Sequence, residues 1–466
     1  MTEIHDLRSY LDTLDEAGEL TRITEPVSVE HELADVAAAL ARSGGPAPLF
    51  EHVVLEDGSR SPWPIFASAV ASHRRAGLAL GCEVDDAEAL VDRMEHALEA
   101  SSSVPPVRRE RAAWHDNVVT GGAELAERLA ALPIPTHSTG DGGAFITGAV
   151  TVTRDPIERD GVRRGNLSYN RMLRFEDQAG PVLGFNVNEW RDVGTFMKSR
   201  PDPDEPFPVA LAIGLDPAIS IAAGVRTDLD ELLIAGAIRG AGVAVCSAVT
   251  SDIDVPAEAE IVIEGLIRPA ERIPEGPLAE FHGYHGEEWP SPSVEVMAIS
   301  WRNDPIYQTI IPGWYEHVYI GNVLPREPLL RRFVRHLDKT AVVHIPPYGN
   351  GFLAVVQIDR DNPGQPKNLA MAAMTAHINI RNVVVVDRDI DIHDPTEVMW
   401  AITNRVDWGL DTFTVPGAQG HEMDPTADTR GVGTKLGIDA TYKRERREYG
   451  ERVSYPPVDL ARYLSP

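Results

Sequence analysis

The run Ala144-Phe145-Ile146-Thr147-Gly148-Ala149-Val150-Thr151-Val152-Thr153 decides the fold class of this chain. Its β-branched and aromatic side chains favour extended backbone, because they pack well on a pleated surface. Asp160-Gly161 follows a few residues later, and an Asp-Gly pair in this position predicts a hairpin turn. The segment 143–185 is therefore predicted to begin a sheet or barrel.

On either side of this run the apolar pattern changes. The sheet pattern continues toward the carboxyl end through 261–265 and 293–301. Toward the amino end, apolar residues follow helical spacing from Leu7 to Leu14, before Gly18 ends the helix. Two further helices are predicted over 85–100 and 123–132.

After residue 305 apolar runs alternate with helical segments. The predicted strands are 341–345, 352–358 and 382–386, and the predicted crossover helices are 368–376 and 396–404. Such alternation is typical of an α/β unit with a parallel sheet. The whole chain is thus predicted to belong to the α/β (α+β) class.

Composition limits the kinds of partner. The chain has 466 residues, more than one hydrophobic core usually organises, so two or three domains are expected. Its 71 acidic and 43 basic residues give a net charge of −28, which would repel nucleic acid. Only Cys82 and Cys246 occur, and no signal-peptide pattern or long unbroken apolar run is present. We expect a cytoplasmic protein with no nucleic-acid and no membrane partner.

Against this acidic background, one group of arginines is a candidate site for an anionic ligand. Arg163, Arg164, Arg171 and Arg174 lie close together in the sequence. For Arg163 and Arg164 the alternative is a solvated basic strand edge beside the predicted turn.

A turn-rich acidic segment is the strongest candidate for chemistry. It reads Pro274-Glu275-Gly276-Pro277-Leu278-Ala279-Glu280-Phe281-His282-Gly283-Tyr284. Proline and glycine restrict the backbone around the two acids. A carboxylate pair is useful when its surroundings separate the two pKa values, leaving one proton donor and one orienting anion. The alternative is a surface loop with two solvated acids.

This segment resembles the acidic motif of the UbiD family of decarboxylases, which act with prenylated FMN. Further segments repeat the resemblance in the family's order along nearly the whole chain. They are Asp6-Leu7-Arg8, 18–23, Gly165-Asn166-Leu167-Ser168-Tyr169-Asn170-Arg171, Glu231 before 236–240, 387–394 before Val398-Met399-Trp400, and 435–443.

The resemblance implies a fold and a division of the chain. The expected fold is a split β-barrel flavin-binding domain followed by a smaller α/β domain used in oligomer contacts. The expected boundaries are 1–115 for the amino-terminal α/β region of the cofactor domain, 116–305 for the split barrel, 306–340 for a linker helix region, and 341–466 for the carboxy-terminal domain with its tail.

The resemblance also assigns catalytic roles. Glu280 would donate a proton, Arg171 would hold the substrate carboxylate or Glu275, and Glu275 would tune the other two through charge-assisted hydrogen bonds. Cofactor-binding residues would be Asn166, Ser168, Tyr169, Asn170, Arg171, Asn188, Glu189, Glu231 and Lys435, the last touching a flavin phosphate.

A metal ion is implied beside the flavin phosphate, with Asn166 and Glu231 as ligands. The family's third ligand is a histidine, and its position falls here on Glu189, so either Glu189 or Asn188 would supply an oxygen. Oxygen ligands suit Mn²⁺ or Mg²⁺. Alternatively, Glu189 is a solvated helix-start residue and the metal is weakly held. A K⁺ ion is expected near the backbone carbonyls of Leu167 and 222–225.

The implied reaction is non-oxidative, reversible decarboxylation of an aromatic, heteroaromatic or α,β-unsaturated carboxylic acid. Loss of CO₂ from an sp² carbon needs an electron sink that no side chain provides, so a cofactor is required. The implied partners are the acid, CO₂, a UbiX-type flavin prenyltransferase that supplies the cofactor, and a second copy of the chain in a homodimer or higher homo-oligomer. An aromatic pocket is predicted from Phe281, Trp314, Tyr315, His317, Tyr348 and Phe352, with ordinary core packing as the alternative for each of them.

Two other functional classes fit the sequence. A flavin-independent metal-dependent hydrolase or lyase could use Asn166, Glu189 and Glu231. A scaffold protein could keep the fold without chemistry, although the intact set of Arg171, Glu275 and Glu280 argues against it.

Overall fold

A computed structural model describes residues 4–82, 86–159, 161–177, 180–313, 315–446, 448, 452–453, 455, 458–459 and 462–463. Over these ranges the chain is a mixed α/β protein. The helices are α1 (Leu7–Glu16), α2 (Glu32–Arg42), α3 (His73–Leu80), α4 (Ala87–Ala100), α5 (Gly122–Ala130), α6 (Asp192–Lys198), α7 (Pro217–Ala222), α8 (Glu231–Arg239), α9 (Tyr315–Val318), α10 (Glu327–Arg335), α11 (Gln365–Ala376) and α12 (Pro395–Arg405). None of them in this described part of the chain has the length and apolar character needed to cross a membrane.

The strands fall into two main groups along the chain. The first are β1 (Leu20–Ile23), β2 (Val27–Ser28), β3 (Ala47–Phe50), β4 (Val53–Val54), β5 (Ile65–Ala67), β6 (Val107–Arg108), β7 (Asn117–Thr120), β8 (Phe145–Ile146), β9 (Val150–Arg154), β10 (Gly165–Tyr169), β11 (Met172–Asp177), β12 (Gly180–Phe185), β13 (Phe207–Ile213), β14 (Ala244–Ser247), β15 (Asp254–Pro256), β16 (Ile261–Glu275), β17 (Trp289–Trp301) and β18 (Tyr307–Thr309). The second are β19 (Val342–His344), β20 (Leu353–Ile358), β21 (Asn382–Asp387), β22 (Thr412–Gln419) and β23 (Val432–Asp439).

The largest sheet curls into a half-barrel. Among the described residues it runs in the order β10-β9-β13-β16-β17-β12-β11-β8, with β7 added on β17. Register shifts between Glu264 and Gly265, and between Arg268 and Arg272, mark bulges in the long β16–β17 pair. A bulge bends its strand and increases the local twist, so the sheet curls instead of staying flat.

The decisive run 144–153 forms two strands rather than one, since residues 147–149 separate β8 from β9. At Gly148 a Cβ atom would lie 2.5 Å from the carbonyl oxygen of Gln308 in β18. The chain therefore passes close to the backbone of β18 at this point, and the strand is interrupted there. The predicted hairpin is confirmed by the antiparallel pairing of β9 with β10, although Asp160 of its turn lies outside the described residues.

The second sheet confirms the predicted α/β pattern. Within the described ranges its order is β19-β20-β21-β23-β22, with β20, β21 and β23 parallel. Val383 and Val385 pack toward α11, while Val384 and Val386 pack toward α12. Both faces of the parallel strands are thus covered, which explains their continuous apolar sequence.

Helix α10 connects the two parts of the molecule. Its Arg331 is buried and pairs with Asp92 and Glu95 of α4, each at 2.6 Å. Leu330 and Val334 belong to an apolar core that contains residues of both the amino-terminal helices and the second sheet. The second sheet is therefore held against the half-barrel side of the molecule, where it can contribute to a shared site.

Candidate active site

Three side chains that are distant in sequence meet at one end of the half-barrel. Arg171 lies between β10 and β11, Glu275 ends β16, and Glu280 follows in the next loop. The Arg171 Nε and Nη2 atoms donate to the two carboxylate oxygens of Glu275 at 2.8 and 3.1 Å. The third nitrogen, Nη1, donates to Oε1 of Glu280. The predicted catalytic set is thus one continuous hydrogen-bonded network.

The backbone of the acidic loop holds Glu280 in this network. The Glu280 amide donates to the carbonyl of Tyr284 at 2.9 Å, which closes a tight turn. Gly276 has φ of 106° and lies so close to Glu287 that a Cβ atom would stand 2.6 Å from its carbonyl oxygen. Only glycine adopts this conformation without strain, so the turn chemistry seen in the sequence has a direct structural use.

The two carboxylates differ in their surroundings. Glu275 has no solvent exposure and accepts a further hydrogen bond from Asn186 Nδ2 at 2.9 Å, an arrangement that suits an anion. Burial raises the pKa of Glu280 to about 7, and the neighbouring Glu275 adds to the rise while Arg171 opposes it. Glu280 can therefore carry a proton near neutral pH, whereas Glu275 fixes the guanidinium.

The network opens into a large cavity. Its volume is about 840 Å³, in the upper part of the ~300–1,000 Å³ range typical of cofactor and small-molecule sites. The half-barrel contributes β10 and the segment that follows β12, and the second sheet contributes His421 and Met423. The cavity wall is thus built from both parts of the molecule.

Two of the three predicted metal ligands line this cavity close to each other. The Leu167 amide, next to Asn166, donates to Oε2 of Glu231 at 2.8 Å. Burial raises the pKa of Glu231 to about 8, and the negative charges of Asp230 and Asp192 add to the rise, while the hydrogen bond from the Leu167 amide opposes it. Asn166 and Glu231 therefore fit as a pair of oxygen donors for a cation.

The third predicted ligand does not join them. The Glu189 side chain is 60% exposed and pairs with Lys198 Nζ at 2.6 Å, and it is not among the residues that line the cavity. Asn188 lines the cavity, but its Oδ1 atom accepts from the Trp190 amide at 2.9 Å. Among the described residues no group of three or more His, Cys, Asp or Glu is arranged to hold a metal ion. The structure thus places the Glu189 side chain apart from Asn166 and Glu231, and its role as a ligand of the metal or flavin stays a prediction.

Lys435, predicted to touch a flavin phosphate, lies away from the cavity in this structure. It lies on β23, and its Nζ atom donates to the carbonyl oxygens of Met374 and Ile378 at 2.7 and 3.5 Å. The side chain is buried there and is absent from the cavity wall. Lys435 instead satisfies the carbonyl groups at the end of α11.

The remaining predicted flavin-binding residues, Ser168, Tyr169 and Asn170, all line the cavity. Ser168 Oγ donates to Asn170 Oδ1 at 3.0 Å, and Asn170 Nδ2 donates to the carbonyl of Asn186 at 3.1 Å. This chain of hydrogen bonds ties β10 to the segment after β12. It gives one cavity wall a fixed polar surface.

The predicted arginine cluster does not form. Arg163 pairs with Asp252, Arg164 pairs with Asp192 at 2.9 Å, and Arg174 pairs with Glu56 at 2.7 Å. The prediction assumed that arginines close in sequence are close in space, but a hairpin directs neighbouring side chains to different faces. Of the four arginines only Arg171 lines the cavity.

The predicted aromatic pocket is smaller than expected. Phe281 and His317 line the cavity, and Phe352 packs behind Phe281 with ring centroids 5.5 Å apart. Tyr315 and Tyr348 are not part of the wall, and Tyr348 is 50% exposed. Trp314 lies outside the described residues.

Several cavity residues were not predicted as site residues. They are Asn186, Arg191, Arg226, Arg326 and His421. None of them belongs to a local motif, and they come from four separate segments. Only tertiary structure brings them together.

Comparison with known proteins agrees with this architecture. Sequence models of the 3-octaprenyl-4-hydroxybenzoate carboxy-lyase match in three parts: the amino-terminal domain over residues 11–94, the Rift-related domain over 106–315 and the carboxy-terminal domain over 318–440. A phenolic acid decarboxylase of Streptomyces sp. (strain D7) is 31% identical over 450 residues, covering 94% of this chain and 92% of that protein.

Solved structures agree as well. The UbiD-class enzyme HmfF from Pelotomaculum thermopropionicum, in complex with FMN, is 35% identical with a TM-score of 0.87, covering 99% of this chain and 100% of that one. An evolved dimeric form of HmfF, in complex with prFMN, is 33% identical with a TM-score of 0.83 over the same shares.

A curled half-barrel, a second α/β sheet and an acid network at a shared cavity define a carboxy-lyase architecture. The chain belongs to the UbiD family of decarboxylases.

Proposed function

We propose that this enzyme decarboxylates an aromatic, heteroaromatic or α,β-unsaturated carboxylic acid, non-oxidatively and reversibly, with prenylated FMN as cofactor. The observation that carries the proposal is the network of Arg171, Glu275 and Glu280 facing the cavity. The relatives support it, since one is a phenolic acid decarboxylase and others hold FMN or prFMN.

In this proposal Glu280 supplies the proton. The bond between the carboxylate and its carbon breaks, CO₂ leaves, and the proton of Glu280 passes to that carbon. Prenylated FMN, when bound, provides the electron sink that no side chain can provide. Arg171 keeps the Glu280 oxygen in place, while Glu275 fixes the guanidinium plane. In the reverse direction the same carboxylate takes up the proton.

The ions and partners of the family belong to this proposal as well. Asn166 and Glu231 would supply two oxygen ligands to Mn²⁺ or Mg²⁺, and K⁺ would lie near the carbonyls of Leu167 and 222–225. A UbiX-type prenyltransferase would supply the cofactor, and the enzyme would act in the cytoplasm as a homodimer or higher homo-oligomer. The division at 115, 305 and 340 remains a prediction.

The test begins with the ligand of the purified protein. Denaturing mass spectrometry would compare the ligand released after expression with and without a flavin prenyltransferase. We expect prenylated FMN only in the first preparation, and that preparation alone should release CO₂ from a panel of phenolic, heteroaromatic and cinnamate-like acids. Equal activity in both preparations, with no flavin in either, would replace the proposal with the flavin-independent metal enzyme.

A further inference from the structure

A second set of positive charges lines the cavity and has no role in the acid network. Arg191 precedes α6, Arg226 lies between α7 and α8, and Arg326 precedes α10. Among the residues that the structure describes, no carboxylate lies within 4.0 Å of any of the three guanidinium groups. The side-chain hydrogen bond that Arg326 makes is to Asn322, which is neutral.

Unpaired arginines need an explanation in so acidic a chain. With 71 acidic residues against 43 basic ones, carboxylate partners are abundant, and Arg171 in the same cavity wall has two of them. Asp192, the acid nearest to Arg191 in sequence, pairs with Arg164 at 2.9 Å. Asp192 lines the same cavity, but its ion pair is with Arg164, so it offsets the charge of Arg191 only in part.

Nearby groups respond to this uncompensated charge. Burial lowers the pKa of Arg326 to about 9, and the positive charge of Arg191 adds to the decrease. Burial also lowers the pKa of His377 to about 3, with Arg326 and Arg191 as the next causes. Arg191 thus repels both Arg226 and Arg326 in the free protein, and a bound anion would relieve that repulsion.

We propose that Arg191, Arg226 and Arg326 form the binding site for a phosphate monoester and hold it even when no divalent metal is bound. This inference rests on the proposed function, in which the phosphate is that of the flavin. A phosphate dianion matches several guanidinium forks, which give directed, charge-assisted hydrogen bonds. The position of Glu189, a predicted metal ligand that pairs with Lys198 outside the cavity wall, supports the same conclusion.

The anion could also be a second carboxylate on the substrate, so the experiment must separate these two sources. Riboflavin has the ring system of FMN but no phosphate. Binding of FMN and of riboflavin would be measured by flavin fluorescence, using full-length protein expressed without a prenyltransferase and treated with EDTA. The informative quantity is the ratio of the two dissociation constants.

We expect the EDTA-treated wild type to prefer FMN strongly. Arg226→Met and Arg326→Met should each weaken FMN binding by roughly tenfold or more, the effect of losing one charge-assisted hydrogen bond. Riboflavin affinity should stay unchanged, which also shows that the variants are folded. Arg326→Lys should recover part of the FMN affinity. The matched control is Arg430→Met, because Arg430 is 80% exposed and, within the described ranges, pairs only with Asp428.

Two results would overturn the inference while leaving the proposed function intact. One is an FMN-to-riboflavin ratio that the arginine variants do not change, as expected if the cluster holds a substrate carboxylate. The other is a wild-type preference for FMN that EDTA abolishes and Mn²⁺ restores. If the wild type binds neither FMN nor prenylated FMN, the proposed function and the inference both fail.

Discussion

The acid network and the arginine cluster line the same cavity, yet they balance positive charge in opposite ways. Arg171 is held by two carboxylates, so its charge is compensated inside the protein. Arg226 and Arg326 have no carboxylate within ion-pair distance in the described chain, so their charge is left for a ligand. This difference is what the two proposals require, a first group that controls a proton and a second that binds an anion.

The largest difference between the two groups is expected when the proposed proton donor, Glu280, is replaced. In Glu280→Gln the shape of the network is nearly kept, but the amide cannot deliver a proton. We expect the decarboxylation rate to fall by ~10²-fold or more, while FMN binding stays at the wild-type level. Steady-state CO₂ release and flavin titration would measure both quantities. A variant that turns over its best substrate at the wild-type rate would exclude Glu280 as the acid.

The two kinds of arginine should also differ in their effect on folding. Arg171→Met leaves the fully buried carboxylate of Glu275 without its bidentate partner, so the free energy of unfolding should fall by about 3 kcal/mol. Arg226→Met removes a charge that Arg191 repels, so no comparable loss is expected. Urea denaturation of the flavin-free proteins measures this. Equal losses in the two variants would show that the cluster is not under repulsion.

The pH dependence sharpens the assignment of the proton. The pKa of Glu280 is raised to about 7, so the protonated form persists to neutral pH and is lost above it. If protonated Glu280 is the active form, kcat/KM should fall about tenfold per pH unit on the alkaline side of this value. The residual activity of Glu280→Gln should lack this decline. A wild-type profile that is flat from pH 6 to 9 would contradict the assignment.

The smallest effect is expected at Glu189. Its ion pair with Lys198 is exposed, so Glu189→Ala should change the free energy of unfolding by less than about 1 kcal/mol. FMN affinity and bound metal should also be unchanged. Glu231→Gln is the comparison variant, because it removes a buried cavity carboxylate with little change in shape. The metal content of both variants would be measured by elemental analysis. If Glu189→Ala lost its metal while Glu231→Gln kept it, Glu189 would be restored as a ligand.

Much of the fold could be predicted from local pattern. The helix at residues 7–14 and the crossover helix at 396–404 appear as α1 and α12, with a few residues added. Their apolar spacing reflects one buried face, which is a local property. The break in 144–153 could not be predicted, because it depends on the backbone of Gln308 passing Gly148 from a distant strand.

The site residues also fall into those that local motifs predict and those that only tertiary packing reveals. Arg171, Glu275 and Glu280 were identified because their motifs resemble a known family, and the structure joins them through hydrogen bonds. Glu189 was placed by counting residues, which cannot reveal that a lysine nine positions later draws it outward. Arg226 and Arg326 belong to no motif, so only the packing of separate segments could reveal their shared cavity.

The ring of Phe281 connects the second sheet to the loop that carries Glu280. Phe281 follows Glu280 directly, and its ring contacts Phe352 and His421, with centroids 5.5 and 6.0 Å apart. Both of these residues belong to the part of the chain that forms the second sheet. A small rotation of that sheet would therefore move the acidic loop. The angle between the two parts of the molecule would then determine the direction in which the Glu280 carboxyl group faces.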